Sequence, residues 1–307
     1  MNLVNLSAEP EGKLRGWLPH DLEMEEVIFL PDACPGKSPL PTGTAVLTKQ
    51  ENWRKFAISD CGCGMRLLKS TVDPNDLEMI RWEQLADKLR QNKGRLGDLG
   101  GGNHFLDALE SNEEPLHFLI HTGSRDESGH VDHLIEKGVE FDKEFDRVVC
   151  WAESNRSAVQ DAIESIFGRM EIVLDLPHNT YEIQSNGSVI IRKGCVRVES
   201  EDLIVIPSHM SGDVLLAKAK PKVGEILNSL SHGTGRTMSR SECKEISDGY
   251  DYADLRQKVL IPESVDNASL RTEGPFAYRD LDDCLNLVRD YVEEVNRFAV
   301  VAYLGHL

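Results

Sequence analysis

The apolar residues of this chain come in short runs broken by proline and glycine, and that spacing confines it to a mixture of short strands and helices. The longest apolar runs, 116–120 and 298–304, are only a handful of residues long. A membrane-spanning helix needs about 20. The opening Met1-Asn2-Leu3-Val4-Asn5 has neither the basic nor the apolar segment of a secretory signal. We therefore expect a soluble, cytoplasmic protein with no membrane partner. Stretches 27–30 and 44–48 are β-rich and lie among Pro31, Pro35, Gly36, Pro39, Pro41 and Gly43, which mark loops. Residues 74–93 repeat apolar positions at helical spacing, with Pro74 at the start and Gly94 as a stop.

Further along, 116–121, 170–176 and 203–206 read as strands, and 180–192 reads as a hairpin turning at Asn186-Gly187. The pattern over 131–167 predicts one or two polar helices with a break near Trp151. That over 280–297 predicts an amphipathic helix through Leu281, Leu285, Val288, Val292 and Val295. There is no repeat, low-complexity tract or linker, so residues 1–307 are expected to form a single domain. Strands and helices without regular alternation point to an α+β fold of packed sheets.

Apolar residues make up 40% of the chain, beside 24 glycines, a share typical of globular domains, which excludes disorder. With 34 Lys+Arg against 52 Asp+Glu, the formal charge is −18. A broad basic surface gripping nucleic acid by charge alone is thereby excluded. A local basic cleft is not. The seven cysteines are odd in number and scattered, as expected in a reducing compartment.

Histidine context carries the chemistry. Four of the ten histidines lie beside glycine or small polar residues, in Gly102-Asn103-His104-Phe105, His121-Thr122-Gly123-Ser124-Arg125, Pro177-His178-Asn179 and Ser231-His232-Gly233-Thr234-Gly235-Arg236. Asp60-Cys61-Gly62-Cys63-Gly64-Met65 adds a carboxylate and thiols on one tight segment. Thiolate, carboxylate and imidazole together suit a divalent transition metal. Each piece alone has a plainer reading: His20, His117 and His133 as core histidines, Cys61 and Cys63 as small packed residues, and Lys218, Lys220 and Lys222 as a solvated face. Their co-occurrence in one chain favours a site.

Read in order, these segments resemble the RtcB RNA ligases, the GTP- and manganese-dependent tRNA-splicing type. Gly97-Asp98-Leu99-Gly100-Gly101-Gly102, Arg192-Lys193-Gly194, Thr237-Met238-Ser239-Arg240 and Pro275-Phe276-Ala277-Tyr278-Arg279-Asp280 extend the likeness, which runs from about residue 26 to 301. The resemblance implies an RtcB-like fold with a central metal and nucleotide cleft. It implies two Mn²⁺, one held by Asp60, Cys63 and His104 and the other by Cys63, His121 and His178, with the thiolate bridging. His232 would attack the α-phosphate of GTP and carry GMP. Asn103, Asp107, Asn179, Gly233, Gly235, Arg236 and Tyr278 would contact the guanylate. Arg125 and Arg240 would meet RNA phosphates.

The implied partner is RNA with a 2′,3′-cyclic phosphate or 3′-phosphate end and a 5′-hydroxyl end, in tRNA splicing or RNA repair. An activating protein is left open. The chain is shorter than typical members and departs from their pattern at four places. These are Ala33-Cys34 after Pro31-Asp32, the loop Pro207-Ser208-His209-Met210-Ser211, Asp107 in place of glutamate, and Ala302-Tyr303 where a lysine-glycine is usual. Two other readings stand beside the ligase: a metal-dependent phosphoesterase or nucleotidyltransferase with an altered donor, and a non-catalytic RNA-end-binding module.

Overall fold

A computed structural model describes the chain except at residues 37, 38, 50–52, 57, 113, 126, 128–133, 135, 136 and 306, and at the side chain of 269. His130, His133, His306 and the start of the helix expected from 131 lie outside the described residues. In chain order the first elements are β1 (Asn2–Asn5), α1 (Glu11–Trp17), β2 (Glu26–Cys34), β3 (Thr42–Thr48), β4 (Gly64–Lys69) and α2 (Met79–Gln91). Then come β5 (Phe105–Glu110), β6 (His117–Thr122), α3 (Val139–Phe167), β7 (Glu171–Pro177), β8 (Asn179–Ile183) and β9 (Val189–Lys193). The remainder is β10 (Cys195–Arg197), β11 (Leu203–Pro207), β12 (Asp213–Ala219), β13 (Ser229–Ser231), α4 (Arg240–Ile246), α5 (Tyr252–Lys258), α6 (Asn267–Leu270), α7 (Leu281–Val288) and β14 (Val292–Gly305).

The architecture is α+β. One sheet has five strands in the order β1-β2-β3-β9-β8, and a second has seven in the order β11-β12-β14-β5-β6-β4-β7. Alternation along each strand explains how they stack. In β2, Ile28 and Leu30 join Ile204, Ile206, Leu215 and Ala217 in a core between the sheets, whereas Val27 and Phe29 face outward onto Leu14 of α1 and Phe141 and Val148 of α3. On the outer face of the seven-stranded sheet, Trp82, Leu85 and Leu89 of α2 and Val159, Ile163 and Phe167 of α3 cover Leu67, Leu106 and Phe118. The Trp82 indole donates to the Tyr303 carbonyl at 3.2 Å and ties α2 to β14.

Two expected elements differ. α3 runs unbroken through Trp151, because Val148, Ala152, Asn155, Val159, Ala162 and Ile163 keep one buried stripe through that point. The helix expected over 280–297 ends at Val288. Asp280 caps its start by accepting from the Asp283 N–H at 3.0 Å, but from Val292 the chain is a strand. β14 has partners on both edges, β12 and β5, so ladder hydrogen bonds outweigh the helical periodicity of its valines. The hairpin at Asn186-Gly187 forms as expected, as β8 and β9.

Candidate metal and nucleotide site

The five residues matched to metal ligands sit where strands of the two sheets meet. Cys63 and His104 immediately precede β4 and β5, and His121 lies in β6 between those strands, opposite Met65 on one side and Phe105 on the other. His178 is the single residue linking β7 of one sheet to β8 of the other; its N–H donates to the Cys63 carbonyl at 2.8 Å. Cys63 Sγ lies 3.3 Å from His104 Nε2 and 3.4 Å from His121 Nε2, and Asp60 Oδ2 lies 2.9 Å from His104 Nε2. The His178 ring packs against His121, with centroids 5.1 Å apart. All four His and Cys side chains are buried.

Asp60 and Arg125 adopt left-handed backbone conformations, φ 54° and 57°, uncommon for residues with a Cβ. Such strain is stored where the surroundings over-determine it. Asp60 Oδ1 accepts from the Ser124 N–H at 2.9 Å and from its hydroxyl at 3.1 Å. A Cβ at Gly123 would stand 2.4 Å from that oxygen, so only glycine lets the carboxylate approach. Burial pushes the Asp60 carboxyl up, but His104, Lys193 and Ser124 together hold it below the usual range. Burial, reinforced by Asp60, pushes the Cys63 thiol well above its usual value. Burial also pushes His121 and His178 well below theirs, leaving neutral imidazoles.

This donor set fits a divalent cation. Ligand atoms of Cys63, His104 and His121 lie within 4.8 Å of one another, and His178 Nδ1 is buried with no hydrogen-bond partner among the described residues. Arg125 Nη1 donates to His104 Nδ1 at 3.1 Å, which puts the ring proton on Nε2, toward Asp60. A cation at Nε2 takes that proton's place, and one bound by Cys63 displaces the thiol proton.

Residues beneath the site hold it in shape. Asn155, fully buried in α3, accepts from the Gly97 N–H at 2.7 Å and donates to the Asp98 carbonyl at 2.9 Å, anchoring the glycine-rich loop before His104. Arg156 donates to the Gly62 carbonyl at 2.9 Å and shares Asp175 with Arg66, at 2.6 and 2.5 Å. Replacing Asp175 by Ala removes the carboxylate that two buried guanidiniums share. We predict a loss of about 3–5 kcal/mol of unfolding free energy, measured by urea denaturation. A loss below about 1 kcal/mol would contradict this support role.

His232 follows β13 and packs against His178, with ring centroids 4.4 Å apart. Its Nδ1 faces two acceptors, Asp32 Oδ2 at 2.6 Å and the Gly194 carbonyl at 2.8 Å. In the neutral ring Nδ1 must therefore carry the proton, and Nε2 keeps its lone pair. Asp32 is fully buried where the β2–β3 register slips between Phe29 and Cys34. Gly235, at φ +72°, brings the His232 loop onto this bulge; a Cβ there would stand 2.6 Å from Asp32 Cα. Arg279 clamps both sides, donating through Nη2 to the Ala33 carbonyl at 3.0 Å and through its backbone N–H to the Gly235 carbonyl at 3.0 Å.

Metal cluster and His232 open into one cavity of about 770 Å³. Asn103 lies exposed at its rim, and Gly233, Gly235, Asp107, Asn179, Arg236, Arg240 and Tyr278 also line it. Asn179 has its amide committed to the Ser59 and Asp60 carbonyls, at 3.2 and 3.0 Å, and to the Gly194 N–H at 2.9 Å. Arg236 and Arg240 both bond Glu273, at 2.9 and 2.8 Å, as does the Tyr278 hydroxyl. Arg125, expected at an RNA phosphate, lies against His104 and 3.8 Å from Asp98.

Sequence reasoning assigned no role to Asp32, Glu273, Lys193 or Asn155. Asp32 had a signal, a carboxylate directly after the apolar stretch Val27-Ile28-Phe29-Leu30-Pro31. Lys193 lies in the Arg192-Lys193-Gly194 motif; its ammonium is buried against Ser59, donating to the carbonyl at 2.9 Å. Glu273 and Asn155 had none.

The sequence profile of the family described as tRNA-splicing ligase RtcB matches residues 136–304, which include His178, His232 and Tyr278. RNA-splicing ligase RtcB2 of Escherichia coli (strain ATCC 25922) is 25% identical over 84% of this chain and 82% of its own length. The tRNA-splicing ligases RtcB of Methanopyrus kandleri and Nanoarchaeum equitans are 26% and 25% identical over 69% and 70% of the chain. Those matches span 31% and 60% of the two archaeal proteins. With a profile match over more than half its length, and with the matched histidines gathered around one cavity, this chain belongs to the RtcB family.

Proposed function

We propose that the protein is an RNA ligase that joins a 2′,3′-cyclic phosphate or 3′-phosphate end to a 5′-hydroxyl end through a histidine-bound GMP, using GTP and two Mn²⁺. The observation that carries this reading is His232, whose Nδ1 is held by Asp32 and Gly194 so that Nε2 is left as a nucleophile beside the metal ligands. A purely structural metal site has no use for such an oriented ring.

Nε2 attacks the α-phosphate of GTP, forming a P–N bond as the bond to pyrophosphate breaks. The ring then carries positive charge, and the Asp32 carboxylate at 2.6 Å compensates it. Water opens a cyclic end to a 3′-phosphate, which takes GMP from His232. The 5′-hydroxyl then attacks and expels GMP. Asp60, Cys63 and His104 would hold one cation and Cys63, His121 and His178 the second; bound there, such ions neutralise charge on phosphoryl oxygens. Arg240, tethered through Nε but about half exposed, is suited to an RNA phosphate at the mouth.

No helix among the described residues is long and apolar enough to cross a membrane; the seven free cysteines fit the reducing, cytoplasmic setting that this reading places the protein in. The test is incubation with Mn²⁺ and α-labelled GTP, followed by sealing of a 2′,3′-cyclic phosphate end to a 5′-hydroxyl end. Absence of both adduct and joined RNA would refute the proposal. Asp32→Asn should slow adduct formation by about 10²-fold or more, with nucleotide KM little changed, because the charge it compensates appears only during attack. An equal rise in KM with constant kcat would contradict that role.

A further inference from the structure

Three residues expected to meet ligand turn instead toward one internal anion. Glu273 is buried in the cavity wall. Its Oε2 accepts from Arg236 Nη1 at 2.9 Å and from the Tyr278 hydroxyl, and its Oε1 accepts from Arg240 Nε at 2.8 Å. The two guanidiniums are not equivalent. Arg236 also donates through Nε to the Met238 carbonyl at 3.2 Å and through Nη2 to Cys243 Sγ at 2.9 Å, so it is committed to the protein. Arg240 has Glu273 as its one hydrogen-bond partner among the described residues, and its side chain is 47% exposed. Arg240 Nη2 stands 3.8 Å from where a Cβ on Gly102 would be, beside the loop that leads to His104.

Two positive charges and one negative leave the cluster with one net positive charge. Glu273 also takes the Nε edge of Arg240, so the edge left for a ligand is the pair of Nη groups, a fork that matches two phosphate oxygens. A phosphodiester carries one negative charge and balances the cluster. A terminal phosphate carries nearly two at pH 7, and the second meets the field of the Glu273 carboxylate. Two residues, at most roughly 7 Å of chain, separate Gly102 from His104. An RNA strand whose end reaches the metal ligands therefore brings its last backbone linkage to Arg240.

We propose that Glu273 makes this arginine pair a site for the singly charged phosphodiester next to the RNA end, leaving the doubly charged terminal phosphate to the metal ligands and His232. The proposal rests on the RNA-ligase reading above and gives it a minimum substrate of two nucleotides. Glu273 itself touches no substrate. It sets which charge the pair accepts and which edge of Arg240 is offered.

The test is binding of dye-labelled RNA octamers to the full-length protein, followed by fluorescence anisotropy with Mn²⁺ present and GTP absent. Making the last linkage of a 3′-phosphate octamer a neutral methylphosphonate should weaken wild-type binding about tenfold. Arg240→Ala should weaken the unmodified octamer by the same factor, and the methylphosphonate should then cost nothing more. Removing the terminal phosphate should weaken wild type and Arg240→Ala equally. Coupling of Arg240 to the terminal phosphate, with the methylphosphonate penalty kept in the variant, overturns the proposal and leaves the ligase reading intact.

Glu273→Gln tests the charge directly, by displacement of a 3′-hydroxyl octamer. Coulomb energy is proportional to charge, so singly charged dimethyl phosphate should compete about threefold better than with wild type and doubly charged methyl phosphate about tenfold better. An equal change for both, or weaker competition by both, overturns the proposal. The methylphosphonate comparison uses wild type and a half-exposed arginine, so it decides the question even if Glu273→Gln fails to fold. No binding of any octamer by wild type overturns this proposal and the ligase reading together.

Discussion

Replacement of His232 by Ala is expected to yield a folded protein that takes up no labelled nucleotide. Wild-type protein given Mn²⁺ and α-labelled GTP should carry label that is lost in acid, as a phosphoramidate is, whereas the variant should fall by at least about 10³-fold. The reason is geometric. Asp32 and Gly194 fix the ring, and no other histidine of the cavity pairs a carboxylate-held nitrogen with a second nitrogen left over for attack. The His232 side chain is 12% exposed, at the cavity wall, so its loss should leave circular dichroism and urea unfolding close to wild type. Label retained by the variant would assign the nucleophile elsewhere. Sealing that continues in the absence of label would remove the covalent intermediate altogether.

Cys63→Ala should strip the protein of metal. Its sulfur lies 3.3 and 3.4 Å from two imidazoles matched to different cations, so a shared thiolate makes both sites depend on one atom. Even changes beyond the coordinating atoms cost about 10–100-fold in affinity, and removal of the bridge should cost more. After loading with Mn²⁺ and gel filtration, elemental analysis should find about two ions per wild-type chain and fewer than about 0.2 in the variant. Mn²⁺ should raise the unfolding temperature of wild type and leave that of Cys63→Ala unmoved, since binding to the native state stabilises it. Two ions per variant chain would overturn the bridging arrangement; one would show independent sites.

The parts that depend on neighbouring residues were legible in the sequence. Short β-rich or apolar runs bounded by turn residues located the strands at 27–30, 44–48, 116–121 and 203–206 and the 180–192 hairpin, because local backbone preference and apolar content are written within a few residues. The site histidines stood out because glycine beside an imidazole is a local feature too. The segment 280–297 misled because valines at helical spacing also satisfy a strand paired on both edges, and pairing is settled by β5 and β12, nearly 190 and 80 residues earlier.

What the sequence by itself determined is the inventory: which ligand types are present, on which short segments, and that apolar runs of this length build sheets rather than a membrane span. Only the tertiary structure decided their use. Asp32 became the partner of a histidine 200 residues away, Glu273 gathered two arginines and a tyrosine, and Asp107 was left buried without a counter-charge. A side chain's charge, orientation and hydrogen bonds depend on which distant groups exclude water from it, and that is set by how the sheets stack.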